Sequence, residues 1–174
     1  MPNSYVQICL HIVFTTYQRQ PCLTAPLRAR LFPYLGGIVR RLGSTNIRIG
    51  GVEDHVHLLV ALRPDTSVAD LVHHLKGSSS HWLNHSFDLP IAFRWQTGYS
   101  AFSVSASLLP AVARYIERQE EHHRKWGFED EMRELLARHE VALQGLGSLG
   151  QEALNLLNEE LSSVESAQPG GSAT

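Results

Sequence analysis

Glu53-Asp54-His55-Val56-His57-Leu58-Leu59-Val60 is the stretch on which the reading of this chain turns. It is an apolar, β-branched run, and successive side chains of a strand point to opposite faces. His55 and His57 therefore share one face, with Val56 and Leu58 on the other. Two imidazoles so placed lie roughly 7 Å apart along the strand, near enough to converge on one ion. Core strands seldom give two same-face positions to histidine. The spacing points to a divalent-metal site on a strand. The plainer alternative is a pair of hydrogen-bonded or surface histidines. Two ligands do not make a site, so a third must come from elsewhere.

Working outward, Asn46 to Val52 reads as a short strand. Gly50-Gly51 and the acidic Glu53-Asp54 mark a tight turn or bulge, which makes this strand and His55 to Leu62 a hairpin. Residues 4–16 are β-branched and partly alternating, and predict a first strand. Thr24 is placed to cap a helix over 25–42, with Leu27, Leu31, Leu35, Ile38 and Leu42 at helical spacing. Pro33 inside it predicts a kink or a late start. Ser67-Val68-Ala69-Asp70 has the form of a capping box, opening a helix to about His85 whose inner face runs through Leu71, Leu75, Ser78 and Trp82. Ala92 to Trp95 and Tyr99 to Ser105 read as paired strands around Thr97-Gly98. Leu108 to Lys125 reads as one strong helix, with a shorter one from Glu129 to His139. The order β-α-β-β-α-β predicts an α+β, ferredoxin-like split βαβ fold: an antiparallel sheet with helices on one face, plus a C-terminal helix that bears a tyrosine.

Two domains are expected, a globular one over residues 1–140 and an acidic extension over 141–174. The extension divides into a Gly-rich linker at 141–150, a short amphipathic helix at 151–163 and a disordered tail. Residues 1–126 hold 13 Lys and Arg against 8 Asp and Glu, whereas residues 127–174 hold 2 against 9. A basic body with an acidic tail is compatible with a nucleic-acid surface on the body. No apolar run is long enough to span a bilayer, and Met1-Pro2-Asn3-Ser4 lacks the features of a signal peptide. A cytoplasmic protein with no membrane partner is expected, its Cys9 and Cys22 reduced.

The strongest candidate for the missing ligand is in Arg114-Tyr115-Ile116-Glu117-Arg118-Gln119. On one helix, Tyr115 and Gln119 share a face about 6 Å apart along the axis. A glutamine carbonyl is a hard oxygen ligand suited to Mg2+ or Mn2+. A phenol needs help to act as a nucleophile at neutral pH, and a nearby cation supplies it while polarising a phosphate. A helix-anchoring tyrosine and a solvated glutamine are the plainer reading.

With these residues in place the chain resembles the HUH-type single-tyrosine transposases of small bacterial insertion sequences, the insertion-sequence-two-hundred-like group. It also resembles their domesticated relatives associated with repetitive extragenic palindromes. The matching stretches are HIVFTTYQRQP at 11–21, VEDHVHLLVAL at 52–62, SVADLVHHLKGSSSHWL at 67–83, WQTGYSAFSVS at 95–105 and ARYIERQEEHHRKWGF at 113–128. The resemblance covers roughly residues 4–135. It implies His55 and His57 as metal ligands, Gln119 as the third and Tyr115 as the nucleophile. It further implies cutting of single-stranded DNA with hairpin ends through a 5′-phosphotyrosine, no nucleotide cofactor, and a homodimer in which one subunit's tyrosine helix often completes the other's site. A bacterial cytoplasmic protein, at the nucleoid when acting, is what the resemblance places here.

Lys76, Ser78, Arg94, Arg114 and Arg118 are candidate DNA contacts, with Ser79 and Ser80 as further donors. Trp82, Trp95 and Phe102 are candidates for base stacking, or else core. Asp54 is placed to orient His55, or to form the turn. His73-His74 and His122-His123 are adjacent on helices, so their rings diverge, and they read as surface or DNA-proximal groups. His81 and His85, four apart on a helix, have the spacing to chelate zinc, but nothing else in the segment supplies ligands. Two other function classes compete: a catalytically silent transposase descendant that binds DNA hairpins as a regulator, and a small metallohydrolase, which lacks a convincing carboxylate base.

Overall fold

The computed structural model describes residues 5–139, so the expected extension at 141–174 lies outside the described residues. Two compact units divide between His123 and Arg124. The first contains β1 (Cys9–Thr15), α1 (Ala25–Arg41), β2 (Thr45–Gly51), β3 (His55–Ala61), α2 (Val68–Ser86), β4 (Ser100–Ser103), α3 (Leu109–Glu117) and α4 (Gln119–His123). Of the second, the described part holds α5 (Phe128–Arg138), which buries Glu131, Met132 and Leu135 at helical spacing. Among the described residues no helix is long and apolar enough to cross a membrane.

The sheet runs β2-β3-β1-β4 and every pairing is antiparallel, which is the split βαβ order the sequence predicts. The histidine strand is central. Its two faces do different things. Leu10, Ile12, Phe14, Val56, Leu58 and Val60 point into one apolar core with Leu27, Leu31, Leu35 and Ile38 of α1 and Leu71, Leu75 and Leu83 of α2. The opposite face carries His11, Val13 and Thr15 of β1, set across from Leu59, His57 and His55 of β3. Onto this second face comes α3. Gly50 of β2 makes that approach possible, because a Cβ there would lie 2.2 Å from the Ile116 carbonyl oxygen. Arg48 and Glu117 clasp the same contact at 2.8 Å.

Several local expectations are corrected. The first strand begins only at Cys9. Helix α1 passes through Pro33 without breaking, since Pro33 lies on the exposed face, where water can satisfy the carbonyl it leaves unbonded. Thr24 occupies the N-cap of α1 but makes no side-chain capping bond, whereas Ser67 accepts from the Asp70 N–H at 3.0 Å as its capping box predicts. The inner face of α2 passes through Ser79 and Leu83 instead of Ser78 and Trp82. Residues 92–95 form no strand. Asn84 binds the Phe93 backbone through both its N–H and its C=O, pinning the segment to α2, and Trp95 keeps a single bridge to Thr16. The bulge in β2 falls at Asn46/Arg48, ahead of the glycine pair. The long helix expected from Leu108 is interrupted: a 3-10 turn (Ala106–Leu108) precedes α3, and at Arg118 the backbone leaves helical geometry, its N–H shared between the Arg114 and Tyr115 carbonyls.

Candidate active site

His55 and His57 are both fully buried, with ring centroids 5.0 Å apart and ring nitrogens that approach within 4.8 Å of each other. Each is held through Nδ1. His55 Nδ1 lies 2.6 Å from Asp54 Oδ1, and His57 Nδ1 lies 2.8 Å from His11 Nε2. Nε2 is then the atom through which each would ligate. A ligand histidine held by a partner on its other nitrogen is the usual construction of a metal site, and ring nitrogens within 4.8 Å of each other are in reach of one ion. The histidine pair therefore offers a divalent cation two of the ligands it needs.

Asp54 is itself supported. Its second oxygen accepts from the Arg19 guanidinium at 3.2 Å. Burial opposes its ionisation, but the hydrogen bond and charge of His55, joined by Arg19, outweigh that and hold its pKa below the ordinary carboxylate value. The predicted orienting role for Asp54 thus has the contact it requires.

The tyrosine arrives in the same chain. The Tyr115 ring stands edge-on to His57 at 5.9 Å and to His11 at 6.1 Å. Gly50 is the register partner of His57 and also the residue that admits Ile116, so the close approach at Gly50 sets Tyr115 beside the histidines. Gln119 opens α4 and is buried. The break at Arg118 places it at the head of the next helix and not on the helix of Tyr115. What anchors α4 is Arg28, a buried guanidinium on α1. It bonds Glu120 at 2.6 Å and the Leu23 carbonyl, and lies 3.4 Å from Glu53. The neighbour of Gln119 and the neighbour of Asp54 are thereby tied to one cation.

Three residues of this site went unassigned at the sequence level. His11 is buried and bonded to His57; its alternation with Val13 and Thr15 was a signal, but only the register with β3 gives it meaning. His122 and His123, expected at the surface or near DNA, are the other two. Both are half-buried; His123 packs edge-on against His55 at 4.6 Å and His122 against Tyr115 at 5.2 Å, and the two rings also meet each other edge-on at 5.6 Å, so neither the expected divergence nor the surface placement holds. Burial, with the like charges of His55, His57 and His122, pushes the His123 pKa down to about 4 against the opposing pull of Asp54, leaving it neutral at physiological pH.

The expected DNA contacts scatter. Lys76 donates to the Gln96 and Gly98 carbonyls, the latter at 2.7 Å, and so ties down the 96–98 turn. Ser78 is half-buried, and Ser79, fully buried, donates to the Leu75 carbonyl and accepts from Trp95 Nε1 at 2.9 Å, which removes it from any phosphate surface. Trp95 is core, edge-on to Phe14 and Phe93. Trp82 stacks on Tyr34 at 4.3 Å. Phe102 is buried beside His11. Arg94, Arg114 and Arg118 are exposed.

The fold of this chain is similar to that of solved transposases. The structure of a transposase from Deinococcus radiodurans R1 superposes with a TM-score of 0.55 at 26% identity, covering 68% of this chain and 96% of that one. A REP-associated tyrosine transposase, solved bound to a REP hairpin, superposes with a TM-score of 0.54 at 13% identity over 71% of this chain and 73% of its own; that likeness is one of fold. The sequence profile described as "Transposase IS200 like" matches residues 4–119, and the chain belongs to that family. The transposase of insertion sequence element IS200 from Salmonella typhimurium is 34% identical over 137 residues, 73% of this chain and 82% of that protein. The ISDra2 transposase TnpA of Deinococcus radiodurans is 26% identical over 118 residues, 65% and 84% respectively.

Proposed function

We propose that this transposase cuts and rejoins single-stranded DNA at hairpin-bearing ends through a 5′-phosphotyrosine on Tyr115. The observation that carries the reading is the meeting, within one chain, of the Tyr115 ring and the His57 ring at 5.9 Å, on a buried histidine pair whose Nδ1 atoms are both already bonded. The fold likeness to a transposase bound to a REP hairpin supports the choice of DNA. His55, His57 and Gln119 would hold Mg2+ or Mn2+. Bound there, the ion would supply positive charge beside the phenol and the scissile phosphate.

The chain's own residues do the rest. Tyr115 Oη attacks the scissile phosphorus, a P–O bond to tyrosine forms, and the bond to the 3′-oxygen breaks. That oxygen takes up a proton and leaves as a 3′-hydroxyl, balancing the proton that the phenol gives up on attack. The new phosphodiester keeps the energy of the old one, so attack by another 3′-hydroxyl reverses the step and joins the strands without a nucleotide cofactor. Asp54 and His11 fix the imidazole tautomers. His122 and His123, packed on Tyr115 and His55, wall the site and restrict water. A homodimer at the nucleoid is the assembly this reading carries, with the Tyr115 ring beside the histidines of its own chain.

The test is covalent capture. Incubated with labelled single-stranded hairpin oligonucleotides from the gene's own flanks in Mn2+, the wild type should give a DNA adduct that maps by mass analysis to Tyr115. Tyr115→Phe should give none while still binding the hairpin. An adduct of normal yield from the phenylalanine variant would remove Tyr115 as the nucleophile.

A further inference from the structure

Just beyond β1, the turn Tyr17–Arg19 places two consecutive non-glycine residues in left-handed backbone, Gln18 at φ 51° and Arg19 at φ 52°. Such residues cost on the order of 1 kcal/mol each, and persist where the surroundings hold them. Here the surroundings do so from several directions. Thr16 Oγ1 donates to the Gln20 carbonyl at 2.7 Å, the Gln18 N–H donates to Gln96 Oε1 at 2.9 Å, and the Tyr17 N–H donates to the Arg94 carbonyl at 2.9 Å. The Thr16 N–H reaches the Asp54 carbonyl at 2.8 Å, and Arg19 is the residue that braces the Asp54 side chain. The product of this bracing is a half-exposed Tyr17 ring with the exposed Arg94 guanidinium lying over it, 4.0 Å from the centroid.

We infer that the stacked Tyr17–Arg94 pair is a docking platform for an unpaired nucleotide of the DNA strand that enters the histidine site. The inference rests on the reading of the chain as a single-strand DNA transposase. Three features lead to it. Position is the first: Thr15 pairs with His55, and Tyr17 lies two residues farther on, roughly 7 Å along the chain. Chemistry is the second: a flat ring and a flat guanidinium offer a stacking surface to any base, and the guanidinium also offers a charge to its phosphate. Charge balance is the third. The neighbouring carboxylates are engaged elsewhere, Asp54 by Arg19 and His55 and Glu53 by Arg28, while among the described residues Arg94 has no carboxylate partner. Of the basic candidates read from the sequence, Lys76 is occupied by carbonyls and lies over the core ring of Phe14, whereas Arg94 lies over the half-exposed ring of Tyr17. Base stacking tolerates sequence, so the platform would hold the strand in place and leave base identity to be read by other groups.

Binding measured by fluorescence anisotropy, with hairpin oligonucleotides carrying an unpaired tail on the 5′ or the 3′ side and with a tail-less hairpin, tests this directly. Tyr17→Leu should weaken binding of one tailed hairpin about tenfold and leave the tail-less hairpin unaffected, while Tyr17→Phe should match the wild type. Arg94→Ala should weaken the same tailed hairpin and reduce the salt dependence of its binding by about one phosphate contact; Arg94→Lys should restore the salt dependence but only part of the affinity. Equal losses with tailed and tail-less DNA, or no loss in any variant, would overturn the platform while leaving the hairpin-cutting reading intact. A wild type that binds none of the hairpins would overturn that reading, and the platform with it.

Discussion

The two faces of the sheet follow different rules. The face under α1 and α2 is an apolar core of aliphatic side chains at strand and helix periods, with a capping box at the head of α2. The face under α3 and α4 buries His11, His55, His57 and Gln119, is approached by a helix through the gap left by a missing Cβ, and is held by the ion pairs of Arg28 and Arg48. Burying polar groups is unfavourable unless each is hydrogen-bonded, so this second face is assembled at some expense to stability. The first face makes the fold, and the second face is tolerated because the first is strong enough to carry it. One strand serves both, since Val56 and Leu58 point one way and His55 and His57 the other.

The adjacent residues His57 and Leu58 offer the largest test of that division. His57→Ala should lower metal-dependent adduct formation by a factor on the order of a thousand, with little loss of stability in the absence of metal. Leu58→Ala should do the reverse. Deleting a fully buried leucine should cost about 2–5 kcal/mol of unfolding free energy, and the protein that remains folded should bind Mn2+ as the wild type does. Denaturant titration and calorimetry with Mn2+, run on both variants, read the two effects separately. If His57→Ala unfolds the protein, or Leu58→Ala abolishes metal binding, the faces are not independent.

The division also explains what the sequence made legible. Core residues, the hairpin and the Ser67 cap are written in local periodicity and capping chemistry, which act over a few residues. The histidine pair was legible because two-residue spacing on a strand is a local statement too. His11 was not, because its role depends on a register between residues 46 apart. His122 and His123 were not, because their surroundings are set by where α3 docks. The failed strand at 92–95 has the same origin: Asn84, nine residues earlier on α2, takes the backbone groups that a strand would have used.

Helix docking on the histidine face supplies the next test. Gly50→Ala puts a Cβ against the Ile116 carbonyl oxygen, and backbone of both elements must shift to admit it. The displacement falls on the residue next to Tyr115, and a misplacement of about 1 Å at a reacting group lowers rate on the order of a hundredfold. Gly50→Ala should therefore form adduct far more slowly while its histidines still bind Mn2+. An unaltered rate would mean that α3 has slack the close contact does not suggest.

The smallest expected effect concerns the buried bond between His11 and His57. If His57 ligates through Nε2, the neutral ring must carry its proton on Nδ1, and that proton can only be donated to His11 Nε2 at 2.8 Å. His11 must then be an acceptor there, and anything that keeps an acceptor in place should preserve the site. His11→Gln, whose side-chain carbonyl can accept the same bond, should keep most of the Mn2+ affinity. His11→Phe matches the ring in shape but accepts nothing, and should lose ten- to a hundredfold, the usual range for a group supporting a metal ligand. Nitrogen NMR of His57 with a diamagnetic divalent ion gives the discriminating readout, because packing alone would not alter the tautomer: the wild type and His11→Gln should show Nδ1–H, while in His11→Phe the two tautomers should compete before metal is added. Equal affinity and an equal tautomer balance in all three proteins would reduce His11 to a packing residue, and the polar face would then owe its order to Asp54 and the docked helix alone.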